Sequence, residues 1–195
     1  MKKLLFILLF IFIPFASYTS TLDQSYSEAN QDNYSSIRPE TDVNYRGAQT
    51  FKAGVSGDLV QCKFYIQKVG SPTGNVFAVL YATSAGAPTG GALATSDNVT
   101  VSGIAAGPAL VTFTFSTPYS VTTGTTYAIS YEGDYTPSWD NYTKLGIDGS
   151  SPTYTDGNLY IYSGSWTSYT TSDVCFYTYV EVVSVGSQVI ITELQ

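Results

Sequence analysis

The chain has 195 residues, eight of them basic and fifteen acidic, with no histidine and a net charge of −7. Without histidine, Ser-His-Asp, Cys-His and His-metal chemistries are excluded. The acidic balance and the lack of a basic patch argue against nucleic acid as a partner. Thr, Ser, Tyr, Val and Gly dominate, and no stretch sustains a 3.6-residue apolar period, so helix is excluded as a main element.

The N-terminus reads as a secretory signal peptide. Met1-Lys2-Lys3 is a short cationic start, Leu4 to Phe15 is apolar apart from Pro14, and Ala16 to Ser20 offers small residues for cleavage. That apolar run falls short of the roughly 20 residues needed to cross a bilayer core, and no later segment approaches that length. Loss of residues 1–20 removes Lys2 and Lys3 and takes the net charge to −9. The expected divisions are a signal peptide over 1–20, a polar segment ordered only in part over 21–44, a β-sandwich domain over 45–183, and a β-prone tail over 184–195.

Strand patterns then recur between Gly, Pro, Asn and Asp clusters. Cys62, Phe64 and Ile66 form an apolar face opposite Lys63, Tyr65 and Gln67. Residues 76–82 are apolar on both faces, which predicts a central, buried strand. Val111, Phe113 and Phe115 align, as do Tyr127, Ile129 and Tyr131. A two-residue turn at Ser163-Gly164 is expected to place Trp166 on the core side with Leu159 and Ile161. Short strands at this spacing indicate an all-β protein, a two-sheet sandwich or a barrel.

Four stretches carry a resemblance. They are Gln49-Thr50-Phe51-Lys52-Ala53-Gly54, Phe64 to Asn75 with its Gly70-Ser71-Pro72-Thr73-Gly74 turn, and Ala87-Pro88-Thr89-Gly90 followed by Gly124 to Ile129. Their order resembles the jelly-roll β-sandwich domains of microbial secreted and surface proteins of the choice-of-anchor R type. The order also resembles carbohydrate-binding-module-like domains and phage- or virus-associated structural domains. The resemblance covers about residues 22–181. It implies an antiparallel jelly-roll-like sandwich with an extracellular, non-enzymatic role, glycan-binding or structural, and it transfers no catalytic residue.

Cys62 and Cys175 are the only cysteines. An even pair in an oxidising compartment points to a disulfide, with free buried thiols or half a metal site as alternatives. Closing that loop of about 113 residues would contribute on the order of 4–5 kcal/mol in the chain-entropy model. Side-chain parity pulls the other way. A bond from Cys175 to the apolar-faced Cys62 turns Tyr177 and Tyr179 inward, although Phe176 and Val180 suit a core better.

Glu132, Asp134, Asp140, Asp148 and Asp156 offer carboxylates for glycosidase chemistry, yet only Glu132 ends a convincing strand. Turn aspartates usually serve local backbone hydrogen bonds. No dedicated cofactor or metal site is recognised. A structural calcium is compatible with the composition, although no Asp-x-Asp-x-Asp loop locates one.

The binding signal is aromatic. Tyrosines and tryptophans crowd residues 135–169, and Trp139-Asp140-Asn141-Tyr142 lies in a turn-rich stretch after Tyr135. Sugar rings stack their apolar faces on aromatic planes while Asp and Asn bond the hydroxyls. Tyr135, Trp139, Asp140, Asn141 and Tyr142 are therefore the candidate ligand-binding residues. Tyrosine-rich strands also make tyrosine-rich cores, so packing is the competing explanation. Asn33, Asn98 and Asn141 stand in N-glycosylation patterns.

The expectation is a secreted or cell-surface module that binds an extracellular glycan or cell-surface protein without catalysis. The alternative is a self-associating subunit of a surface layer, appendage or virion-like assembly. In that case Val182-Val183 and Val189-Ile190-Ile191 would add a strand to a neighbour's sheet.

Overall fold

Period-two alternation is realised as antiparallel strand pairing throughout the computed structural model, which describes residues 8–37, 46–135 and 138–193. The described strands are β1 (Leu8–Tyr26), β2 (Asn33–Ile37), β3 (Arg46–Lys52), β4 (Gly57–Val69), β5 (Asn75–Ser84), β6 (Ala87–Thr95) and β7 (Val99–Thr100). They continue as β8 (Ala109–Val121), β9 (Thr126–Gly133), β10 (Tyr142–Asp148), β11 (Leu159–Tyr162), β12 (Trp166–Tyr169), β13 (Asp173–Val174) and β14 (Phe176–Glu193).

Two sheets result. The first runs β1-β14-β4-β10-β13, with β8 on the far side of β4 and β2 beside β10. The second runs β12-β11-β3-β9-β5-β6, with β7 beside β5. They pack face to face as a sandwich, in line with the expected all-β class.

The inward faces are those the alternation marks. Leu59, Cys62, Phe64 and Ile66 on β4 and Phe113 and Phe115 on β8 meet Val76, Ala78 and Leu80 on β5 and Tyr127, Ile129 and Tyr131 on β9. At the centre, Phe64, Phe113 and Tyr131 stand edge to face in a triangle, with ring centroids 5.9 to 6.0 Å apart. Such contacts add about 0.5–1.5 kcal/mol per pair beyond area burial.

Part of the 21–44 segment belongs to this core. Tyr26 and Ile37 are 6% and 3% exposed, and β2 pairs with β10 from Thr143↔Ile37 to Ile147↔Asn33. Residues 38–45 lie outside the described residues. Toward the other terminus, β14 carries the expected tail on to Glu193, paired with β1.

The expected disulfide is corrected. Cys62 and Cys175 are both buried free thiols. In the β4–β14 ladder Cys62 lies opposite Thr178 and Phe64 opposite Phe176. Phe176, Thr178 and Val180 therefore share the core face with Cys62, while Cys175 has the parity of Tyr177 and turns to the other face. Two cysteines on opposite faces of one sheet cannot bond without moving backbone. Burial raises both thiols, that of Cys175 to about 12.

Two buried polar bridges hold the sheets in register. Tyr131 on β9 donates to Thr143 Oγ1 on β10 at 3.0 Å, and Thr143 Oγ1 lies 2.8 Å from the Tyr135 hydroxyl. That hydroxyl donates to the Ile37 carbonyl at 2.9 Å, so its one proton is committed and Thr143 must be the donor to it. In the second bridge, Gln49 on β3 donates to Asp173 Oδ1 at 3.0 Å and accepts from the Val174 amide at 2.8 Å. Gln49 is fully buried, so every polar atom it carries needs such a partner.

Two predictions follow from this packing. Unfolding without reductant should expose two thiols per chain to a thiol reagent, with none reactive in the native state. A missing pair after denaturation would restore the disulfide. Tyr131→Phe removes one buried donor and should destabilise by about 1 kcal/mol, and Tyr131→Ala by about 3–5 kcal/mol, in denaturant melts. Equal costs for the two would place the hydroxyl, not the ring, at the centre of the effect.

Candidate functional site

The predicted aromatic constellation is divided by the fold. Tyr135 is 7% exposed and belongs to the polar bridge just described, so it is corrected from ligand contact to core residue. The reason is local. Asp134 Oδ1 accepts from the Asn75 amide at 2.7 Å, which turns the chain at the end of β9 and tucks the next side chain between the sheets.

Residues 138–141 form a tight turn, with reciprocal backbone hydrogen bonds between Ser138 and Asn141. Asn141 is spent on structure. Its Oδ1 accepts from the Ser71 amide at 2.7 Å and its amide group donates to Ser138 Oγ at 3.2 Å. Gly70 makes this docking possible, because at φ +64° a Cβ there would lie 2.0 Å from the Asp140 carbonyl. Trp139 at the tip is 63% exposed, and Asp140 beside it is exposed. Tyr142 lies half-buried on the outer face of the first sheet. There the Lys144 ammonium stands 6.0 Å from its ring and 5.7 Å from that of Tyr34.

A second group of aromatic and charged side chains sits on the outer face of the second sheet. The expected two-residue turn after Tyr162 is a three-residue one. Ser163 N–H donates to the Ser165 carbonyl at 3.2 Å, Gly164 takes φ +92°, and the register becomes Tyr162↔Trp166. One extra residue flips parity, so Trp166 leaves the core side assigned to it and joins Tyr162 outside.

There Trp166 meets Tyr162 at 5.2 Å and Tyr81 at 6.0 Å between centroids. Arg46 lies 4.9 Å over the Tyr162 ring. Its guanidinium pairs with Glu132 Oε2 at 3.3 Å, while Tyr81 donates to Glu132 Oε1 at 2.8 Å. Below them Val79, Tyr81 and Ala128 form a small core of their own, with Phe77 and Trp166 packed against it. The apolar outer face of β5 is thus explained by a second core layer, and β6 reaches toward β3 and β12 on this side.

Registers put both groups at one end of the sandwich. Arg46 pairs with Tyr162, Gly47 with Tyr131, and Val76 with Gly133, so the start of β3, the 163–165 turn and the end of β9 share that end, as does the 138–141 turn that leads into β10. The surface there offers partly exposed aromatic rings beside a hydrogen-bonded ion pair. Arg46 and Glu132 went unpaired in the sequence, because nothing local links residues 86 positions apart.

Of the other candidate carboxylates, Asp134 and Asp148 hold turns. Asp148 is buried but is lowered on balance. Burial raises it, and the Tyr26 hydroxyl at 2.6 Å with the Ser150 and Ser151 amides outweighs that effect. Among the described residues no three metal-ligating side chains converge. A groove of about 500 Å³ between β7 and β8 is lined by Val99, Ile104, Leu110 and Val111 among others, without a charged or aromatic side chain to orient a ligand.

No family model matches the sequence, and no curated protein matches it either.

Burial, and then the charge of Glu132, raises the Tyr81 phenol to about 12. An unfolded tyrosine ionises near 10, so this contribution to stability is whole below pH about 10 and is lost as pH climbs toward about 12. The melting temperature should fall over that window, and more shallowly in Tyr81→Phe. An unaltered slope in the variant would show that Tyr81 stays ionisable in the native fold.

Proposed function

We propose that this chain is an exported, non-catalytic β-sandwich module that binds extracellular carbohydrate. The binding surface is the end of the sandwich carrying Trp139 and the Arg46–Glu132–Tyr162–Trp166 group. Support for export comes from the cationic start, apolar run and small residues of positions 1–20. Support for the ligand class comes from one observation: part-exposed aromatic rings lie beside an ion pair held by Tyr81.

The chemistry suits a sugar. An aromatic plane contributes stacking and desolvation to one face of a pyranose, while a fixed guanidinium and carboxylate discriminate among hydroxyl orientations. Arg46 is the stronger discriminator. Its five donors sit in a rigid fork, of which the bond to Glu132 uses only part.

The test is a glycan array followed by calorimetric titration of the best soluble hit. Trp139→Ala and Arg46→Lys should each weaken binding about tenfold, the equivalent of about 1.4 kcal/mol. Their melting temperatures serve as the control for folding. No binder on the array, or a bound glycan indifferent to both substitutions, would overturn the reading.

A further inference from the structure

The first and last described strands form a ribbon that leaves the sandwich. β1 and β14 pair without interruption from Leu8↔Glu193 to Leu22↔Tyr179. The ladder from β14 to β4 ends at Glu181↔Asp58. Beyond that point, among the described residues, β14 pairs with β1 alone, and this partner is the stretch read above as the signal peptide.

The remainder of β1 is tied to the sandwich independently. Asp23 Oδ1 accepts from the Gly54 and Val55 amides at 2.8 Å each, the Gln24 amide donates to Thr178 Oγ1 at 3.1 Å, and Tyr26 bonds Asp148. Cleavage after Ser20 adds one water across one peptide bond, leaving a carboxylate on the leader and an amine on Thr21. The anchored part stays, and β14 loses its partner from Val182 onward.

The bared segment has the composition of a strand that seeks a mate. Residues 182–192 contain no charge and no proline, and Val and Ile supply six of the eleven. Residues 16–22 along the ribbon are exposed, with Tyr18 at 64% and Val183 at 51%. The in-chain partner is also imperfect. Pro14 lies opposite Ser187, and proline has no N–H to give the ladder.

We infer that, once residues 1–20 are removed, residues 182–192 of two copies pair antiparallel across a twofold axis, replacing the lost strand and making the mature protein a dimer. The inference rests on the export reading above. A register centred on Ser187 sets Ser187 opposite its own copy, Val185 opposite Val189 and Val183 opposite Ile191. Positions 183, 185, 189 and 191 share one strand parity, so the apolar set meets itself, as an isologous contact requires. Ser187 restores the amide that Pro14 lacked. This reading commits to a second copy, since each mature chain brings the same bare edge.

The full-length gene is expressed in an exporting host, and intact mass of the purified protein reads whether residues 1–20 are gone. Light scattering should then give twice the chain mass. Mild oxidation of Ser187→Cys should yield a covalent dimer, while Ala106→Cys on an exposed loop should not. Val185→Lys combined with Val189→Lys sets like charges opposite each other and should give a monomer. Val185→Lys combined with Val189→Glu sets opposite charges together and should keep the dimer. A processed monomer overturns the proposal, as does a dimer indifferent to these pairs. A chain that retains residues 1–20 overturns it too, and the intact mass marks that failure as one of processing, leaving glycan binding to its own test.

Discussion

A single buried phenol ties the two sheets of this sandwich together. The Tyr131 ring closes the edge-to-face triangle with Phe64 and Phe113, and its hydroxyl starts the hydrogen-bonded run through Thr143 and Tyr135 to the Ile37 carbonyl. One side chain thus supplies both apolar contact across the sheets and a polar constraint on how they slide. A core of Val and Phe alone would tolerate several offsets between sheets at similar cost. A buried hydroxyl chain tolerates one, since any shift leaves donors unsatisfied in a dry interior.

The Gln49–Asp173 bridge repeats the device toward the β11–β12 side. One and three residues nearer the start of β3 than the two bridges lies the end of the sandwich where Arg46, Glu132, Tyr162 and Trp166 meet. Their geometry follows from the register that the bridges impose. Tyr81 is the link, packed in the outer core layer and holding Glu132 in place for Arg46. The proposed binding surface thus rests on rigid strands, with Trp139 carried separately on a turn locked to Ser71 through Asn141.

The β1–β14 ribbon stands apart from this. Beyond Glu181, where the ladder to β4 ends, it is held by pairing with β1, by Val182 against the core and by the Ser17–Ser184 hydroxyl pair, and a two-stranded ribbon is only marginally stable in water. Under the proposed removal of residues 1–20, the segment after Glu181 would be paired in one covalent state of the chain and exposed in the other.

Alternation in the sequence determined which residues face the core of β4, β8 and β9, because a strand's side-chain period is two whatever it packs against. It also determined that β5 is buried on both sides. Composition alone set the all-β class. Four matters were decided only by tertiary structure. Cys62 and Cys175 were separated by the register of β4 against β14, which no local pattern around either cysteine encodes. Trp166 changed faces because one residue in a turn inverts every position after it. Tyr135 passed from candidate ligand contact to core, and Arg46 met Glu132, because strands distant in the chain became neighbours in space. Local sequence carries the period of a strand, while register and partnership are properties of pairs of strands, and these appear only when the whole sheet closes.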